Sequence, residues 1–149
     1  MQIDKILNMT IRQISIFLEN KSGRLTEVLE TLGKEKINIK ALTIADTSEY
    51  GILRIIVSNP DKAYKILKDK GFSVNLTDVL SIATPIESGS FGKALRILSD
   101  EKISIEYMYA FSLGKKAIIV MRVENNEKAL EAIKKHKMEL VNGGDLFEI

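Results

Sequence analysis

The residues best suited to bind a small molecule form the segment 20–25, Asn-Lys-Ser-Gly-Arg-Leu, between a predicted strand and a predicted helix. The first turn of a helix carries N–H groups without intrahelical partners and a partial positive charge, so it binds a carboxylate well. Gly23 allows a ligand to approach the backbone, and Asn20 adds a side-chain amide. Asn38 brings a second amide at the start of the next predicted strand. Two such amides indicate a site for a zwitterion; the alternative, that Asn20 and Asn38 only serve turns, stays open.

Most catalytic and metal chemistry is excluded by the residue types. The chain has no Cys, which removes thiolate nucleophiles, disulfides and Cys-bound zinc, and its single histidine, His136, cannot build a His-based metal site. The glycine-rich loops that cradle phosphate are missing, and Gly89-Ser90-Phe91-Gly92, with two glycines ahead of a predicted helix, favours a tight strand-to-helix turn over an anion cradle. The acidic residues fall mostly on polar faces of predicted helices, which favours solvated surface charge. We therefore expect no enzyme activity, no catalytic residues, no metal and no cofactor.

The charge and hydropathy patterns limit the partners of the chain. With 22 Lys and Arg against 20 Asp and Glu, interspersed along 149 residues, there is no basic stripe of the kind that binds nucleic acid. No run approaches the ~18 to 20 apolar residues needed to cross a bilayer, and no signal peptide pattern opens the chain. We expect a soluble, cytoplasmic protein that binds neither nucleic acid nor membrane.

The chain contains an internal repeat. A shift of 66 residues superposes Gly23 on Gly89 and works along almost the whole chain without a gap. It also aligns Glu35-Lys36-Ile37 with Glu101-Lys102-Ile103, and Lys62-Ala63 with Lys128-Ala129. We predict two units, residues 10–77 and residues 78–149.

Each unit has the pattern strand, helix, strand, strand, helix, strand. In the first unit, alternating apolar residues predict a strand that ends near Glu19, and Leu25, Val28, Leu29 and Leu32 recur at helical spacing. Asn59-Pro60 and Asn125 are typical helix starts. The order predicts an α+β fold of two tandem ferredoxin-like (βαββαβ) units with antiparallel sheets, joined side by side. The tail 145–149 aligns with a strand in the repeat register and predicts an extra edge strand.

An RNA-binding function is a further alternative, because sheets of this kind can stack bases on exposed aromatic side chains. Tyr107, Tyr109 and Phe111 share one face of one predicted strand, but the neighbouring strands of that unit lack aromatic residues. Packing at an interface explains this stripe better.

The sequence resembles the ACT domains, which are small regulatory modules that sense amino acids. The resemblance lies in segment 19–25, in Ile37-Asn38-Ile39 and in the run 52–57, and the two units together are similar to free-standing tandem ACT proteins. In serine-inhibited phosphoglycerate dehydrogenases, two Asn residues at the positions of Asn20 and Asn38 hold the effector. Ser22 replaces the usual Pro of the loop, and in the second unit the loop Asn is lost and Ser104 replaces the strand Asn.

The resemblance implies a non-enzymatic regulatory protein that binds a free amino acid at the interface of two ACT units, whose edge strands pair into one sheet. It also implies a homodimer and a metabolic enzyme as a partner. The alternatives are a regulatory subunit or interaction module of a separate enzyme without a working ligand site and, less favoured, an RNA-binding protein. The ligand-binding residues expected from the resemblance are Asn20, Ser22, Gly23, Arg24, Leu25, Asn38, Ser88, Gly89 and Ser104.

Overall fold

The computed structural model describes residues 9–19, 21–46 and 49–147. Residues Arg12–Thr77 form one compact unit, called unit one, and the chain from Asp78 onward groups with the described residues before Arg12 in a second, called unit two. Unit one contains β1 (Ile11–Glu19), α1 (Arg24–Lys34), β2 (Ile39–Asp46), β3 (Tyr50–Val57), α2 (Pro60–Asp69) and the first part of β4 (Ser73–Pro85).

Unit two repeats the order of elements. It contains the second part of β4, α3 (Ser90–Asp100), β5 (Ile105–Leu113), β6 (Lys116–Val123), α4 (Asn126–Lys135), β7 (Glu139–Leu140) and a short helix α5 (Gly143–Phe147). The strand order is β2-β3-β1-β4 in unit one and β5-β6-β4-β7 in unit two, with antiparallel neighbours. The predicted α+β fold of two tandem ferredoxin-like units is confirmed.

Each sheet carries its two long helices on one face, because alternate strand residues and one stripe of each helix are apolar. In unit one the buried core consists of Ile14, Ile16, Leu18, Val28, Leu32, Ile37, Leu53, Ile55, Val57, Ala63, Leu67 and Phe72. In unit two it consists of Leu80, Ile82, Ala94, Leu98, Ile103, Ile119, Met121, Val123, Ala129, Ala132 and Ile133. We call the side of each sheet that these helices do not cover its open face, although residues on it such as Ile56, Ile118 and Val120 are buried.

The second helix of each unit begins as the sequence predicts. The Asn59 side chain accepts a hydrogen bond from the Lys62 N–H at 3.3 Å, and Asn125 accepts one from the Lys128 N–H at 3.0 Å. These side chains satisfy one of the N–H groups that a helix start leaves without an intrahelical partner. The predicted capping role of both Asn residues is confirmed.

The predicted edge strand over residues 145–149 is wrong for the part that the structure describes. Residues Gly143–Phe147 form the helix α5, and residues 148 and 149 lie outside the described ranges. The Asn142 side chain accepts a hydrogen bond from the Asp145 N–H at 2.9 Å, which favours a helical turn at this point. Helical geometry also buries Leu146 completely. The repeat register shows which residues correspond, but a capping side chain and one buried contact determine the local conformation.

The three aromatic residues that suggested RNA binding lie on an outer strand of the sheet. Tyr107, Tyr109 and Phe111 are half-buried on the open face of β5, opposite Arg122, Val120 and Ile118 of β6. Among the strands that the structure describes, β5 pairs only with β6. The central strands β4 and β6 carry no aromatic side chain. This arrangement lacks the paired central aromatics on which such sheets stack bases.

No helix in the described part of the chain is both long enough and apolar enough to span a membrane.

Candidate functional site

The loop that precedes α1 presents free backbone donors. Gly23 takes a left-handed conformation, with φ of 88°, and no side chain among the described residues caps the start of α1. The first helical hydrogen bond runs from the Glu27 N–H to the Gly23 carbonyl at 2.9 Å, which leaves the Leu25 and Thr26 N–H groups without an intrahelical partner. By contrast, Asn side chains cap α2 and α4. The start of α1 is therefore open to an external acceptor such as a carboxylate.

The charged side chains around this loop neutralise one another. Lys21 Nζ lies 2.9 Å from Glu19 Oε2, and this hydrogen bond, followed by the lysine charge, holds the pKa of the Glu19 carboxyl below its usual value. Arg24 Nη1 lies 3.1 Å from Glu27 Oε2. With both cations paired, the backbone N–H groups and partial charge of the helix are the main attraction for an anion here.

Arg24 is also held by an aromatic ring. Its guanidinium carbon lies 4.6 Å from the centre of the Phe72 ring, and Phe72 is buried in the core of unit one. A cation at this distance from a ring face is attracted to it. Sequence reasoning missed this contact because Phe72 lies in the segment that follows α2, far from the loop in sequence.

Three further predicted residues of this loop have clear positions, and one does not. Ser22 is exposed beside Gly23, and Leu25 is half-buried, where it packs against the core of unit one. Arg24 is the first residue of α1. Asn20 lies outside the described residues.

Asn38 is exposed just before β2. Its backbone N–H donates to Ser58 Oγ at 3.0 Å, and its carbonyl accepts from the Ser58 N–H at 2.9 Å. These bonds fix the backbone and do not use the side-chain amide. Asn38 can therefore offer a donor and an acceptor to a ligand.

Unit one does not bring Asn38 and its own loop together. In the sheet, Glu19 lies opposite Tyr50 of β3, whereas Ile39, which follows Asn38, lies opposite Val57 of the same strand. Val57 lies seven residue steps after Tyr50 along the extended strand, a distance of about 23 Å at the usual rise per residue. The loop and Asn38 thus lie at opposite ends of the sheet, and one unit alone cannot place both on one small ligand.

The edge of the sheet between these two ends is apolar. Among the described strands, β2 pairs only with β3. Leu42 and Ile44 project from β2 on the helix-bearing side, opposite Ile55 and Leu53, yet they are 49% and 45% exposed. Exposed apolar side chains on a strand with a free edge are typical of a surface that pairs with another strand.

Unit two has corresponding positions with different chemistry. Gly89 has φ of 85° and begins α3 without a side-chain cap, and Ser88 is exposed beside it. Ser104 lines an open cavity of about 390 Å³ together with Lys102, Ile103, Glu124, Asn125 and Lys128. The Glu124 N–H donates to the Ser104 carbonyl at 3.2 Å, the counterpart of the Ser58–Asn38 bond in unit one. Sequence reasoning predicted Ser88, Gly89 and Ser104 but not the cavity.

The described residues include no group of three or more His, Cys, Asp or Glu side chains arranged to hold a metal ion.

Comparison with known proteins identifies the family. The chain is 52% identical to protein BT0572 from Bacteroides thetaiotaomicron, whose crystal structure it matches over 95% of this chain and 98% of that one, with a TM-score of 0.90. The regulatory subunit of aspartate kinase from Thermus thermophilus, in its ligand-free form, has the same fold at 15% identity, over 87% of this chain and 94% of that chain, with a TM-score of 0.62. The corresponding subunit from Thermus flavus gives 15%, 85% and 92%, with a TM-score of 0.62. A search of curated proteins finds no match. The family model of the ACT domain pair matches residues 9–149, so the chain belongs to the ACT domain pair family.

Proposed function

We propose that this protein is a non-enzymatic regulatory protein that binds a free amino acid at an interface of two ACT units, unit one of one chain and unit one of a second copy. The ligand carboxylate binds at the open start of α1, where Leu25 and Thr26 present N–H groups beside Gly23. The amides of Asn20 from the same chain and Asn38 from the second copy bind the remaining polar groups of the ligand.

Pairing of the two β2 strands provides this geometry. In an antiparallel pair related by a two-fold axis, the start of one strand lies beside the end of the other. Asn38 precedes the start of β2, and the loop after β1 lies at the end of the sheet where β2 finishes. Each Asn38 then lies near the loop of the opposite copy. The pairing also covers Leu42 and Ile44, which are exposed in the single chain.

One observation carries the proposal: the uncapped helix start and Asn38 lie at opposite ends of the same sheet edge, with an apolar strand between them. Within one unit these two groups are too far apart to contact the same ligand. In a two-fold pair of copies, the helix start of one copy and Asn38 of the other can contact it together.

The test is a thermal-shift screen of the twenty amino acids, followed by calorimetry with the amino acid that raises the melting temperature most. A ligand at a hundred times its Kd adds ~2.7 kcal/mol to the free energy of unfolding. Asn20→Ala and Asn38→Ala should each weaken binding by ~1.5 to 3 kcal/mol, because each removes a hydrogen bond to a charged ligand group. Ser104→Ala, the matched change in unit two, should change the affinity much less.

No stabilising amino acid, or unchanged affinity in both Asn variants, would contradict the proposed site. That result would favour an interaction module of a separate enzyme, with no working ligand site.

A further inference from the structure

A second cavity lies in unit two, away from the loops discussed above. It has a volume of about 330 Å³, and its walls include Ala83 of β4, Ile118 of β6 and Val141 after β7. Ile82 and Ile119, the chain neighbours of the first two, belong to the core under α3 and α4. Because successive strand residues point to opposite faces, Ala83 and Ile118 lie on the open face of the sheet. The cavity is near the lower end of the size range of small-molecule sites.

The internal repeat shows how this cavity arises. The residue of unit one that corresponds to Ala83 is Phe17, and the one that corresponds to Lys116 is Tyr50. Unit two therefore carries a methyl group and a flexible amine where unit one carries two aromatic rings. The missing ring at residue 83 leaves space over β4, next to Ile118, which lies directly opposite Ala83 in the sheet.

The rim of the cavity carries charged side chains whose charges do not all cancel. Lys116 Nζ lies 2.5 and 2.8 Å from the two carboxylate oxygens of Glu139, so these two charges cancel at close range. Asp145 of α5 also lines the cavity, and its carboxylate has no ion-pair partner within the described part of the chain. Among the described residues that line it, the cavity thus combines apolar walls with one carboxylate, that of Asp145, which no lysine balances. This combination suits a ligand with an aliphatic body and a positive group.

We infer that unit two holds a separate binding site on its open face for a small aliphatic amine. The aliphatic body packs on Ala83, Ile118 and Val141, and the ammonium group binds the Asp145 carboxylate. This site uses none of the residues of the proposed amino-acid site, and its test is independent of that proposal.

The test is an NMR titration of the full chain with 3-methylbutylamine, with 3-methylbutanol and 3-methylbutanoate as controls of the same shape. We expect saturable shifts of the Ala83, Ile118 and Val141 methyl signals with the amine, weaker binding of the alcohol and the weakest binding of the anion. Asp145→Asn should weaken amine binding about threefold to tenfold and leave alcohol binding unchanged, because only the amine carries the charge that Asp145 attracts.

Ala83→Phe restores the ring of unit one and should abolish the shifts of both the amine and the alcohol. If this variant does not fold, Asp145→Asn, which changes an exposed side chain, still decides the outcome. Equal binding of amine and anion, no saturable shift at these methyl groups, or an Asp145→Asn variant that binds the amine as tightly as the natural chain would overturn the inference.

Discussion

Three lysines adopt a backbone conformation that favours glycine. Lys36, Lys102 and Lys137 have φ of 57°, 59° and 54°, each shortly after a helix end. The residue of unit one that corresponds to Lys137 is Gly71, with φ of 90°. A side chain with a Cβ is strained in this left-handed region, and glycine is not. The tight turns after α1, α3 and α4 therefore each place one lysine in a slightly strained backbone conformation.

Replacement of Lys36 by Gly should raise the free energy of unfolding by about 0.5 to 1 kcal/mol, since the strain is removed and part of the gain is lost to the greater freedom of the unfolded chain. Urea denaturation measures this change. The matched control is Glu30→Gly, at an exposed position in the interior of α1, which should lower stability by about 1 kcal/mol. A loss of stability in both variants would contradict the strain argument.

The single histidine interacts with one carboxylate. His136 Nε2 lies 2.9 Å from Glu101 Oε1, and Lys135 Nζ lies 3.0 Å from the same oxygen. The hydrogen bond from His136 and then that from Lys135 hold the pKa of the Glu101 carboxyl below its usual value. A carboxyl whose pKa is lowered in the folded state stabilises the fold above its unfolded pKa. That contribution is lost as the pH falls through the folded pKa.

His136→Ala should raise the pKa of Glu101 towards its usual value, because the first of its two hydrogen-bond donors is removed. The side-chain carboxyl signal of Glu101, followed by NMR between about pH 2 and 6, reports this pKa directly. His136→Gln keeps a donor at the same position and should raise the pKa less. An unchanged Glu101 pKa in His136→Ala would show that Lys135 alone holds the carboxylate.

At the scale of single elements, the helix starts were the most predictable features. Asn59 before Pro60 and Asn125 both act as caps, as their residue types indicate. The tail was predicted wrongly, because a five-residue helix depends on the Asn142 cap and on the burial of Leu146 and not on a repeated pattern. The contact of Arg24 with Phe72 could not be predicted either, since it depends on the packing of segments distant in sequence.

Asn59→Ala and Asn125→Ala should each lower the free energy of unfolding by about 1 kcal/mol, because each leaves a helix N–H without its acceptor. Asn59→Asp retains an acceptor oxygen and should remain close to the natural stability. Chemical denaturation of the three variants measures these effects. Equal losses in Asn59→Asp and Asn59→Ala would show that something other than capping makes Asn59 important.

At the scale of the whole molecule, the repeat of 66 residues was sufficient to predict the fold. It gave the order of elements in both units, and the apolar alternation gave the face of each sheet that the helices cover. The candidate site was harder to predict. The residue pattern suggested that Asn20 and Asn38 bind one ligand together, whereas the strand registers place Glu19, after which the loop begins, and Asn38 at opposite ends of the sheet. The relative positions of the loop and Asn38 depend on strand direction, and strand direction depends on pairing between segments that are distant in sequence.

The most direct test of the proposed interface is to mix two variants that each bind the amino acid weakly. In a two-fold pair, each site takes Asn20 from one copy and Asn38 from the other, so a mixed dimer of Asn20→Ala and Asn38→Ala has one site with both residues intact and one with neither. After the subunits are exchanged at equal concentrations, calorimetry should recover about a quarter of the natural number of high-affinity amino-acid sites, since half of the dimers are mixed. If the mixture binds no better than either variant alone, while the natural chain binds normally after the same treatment, the site does not lie between two copies.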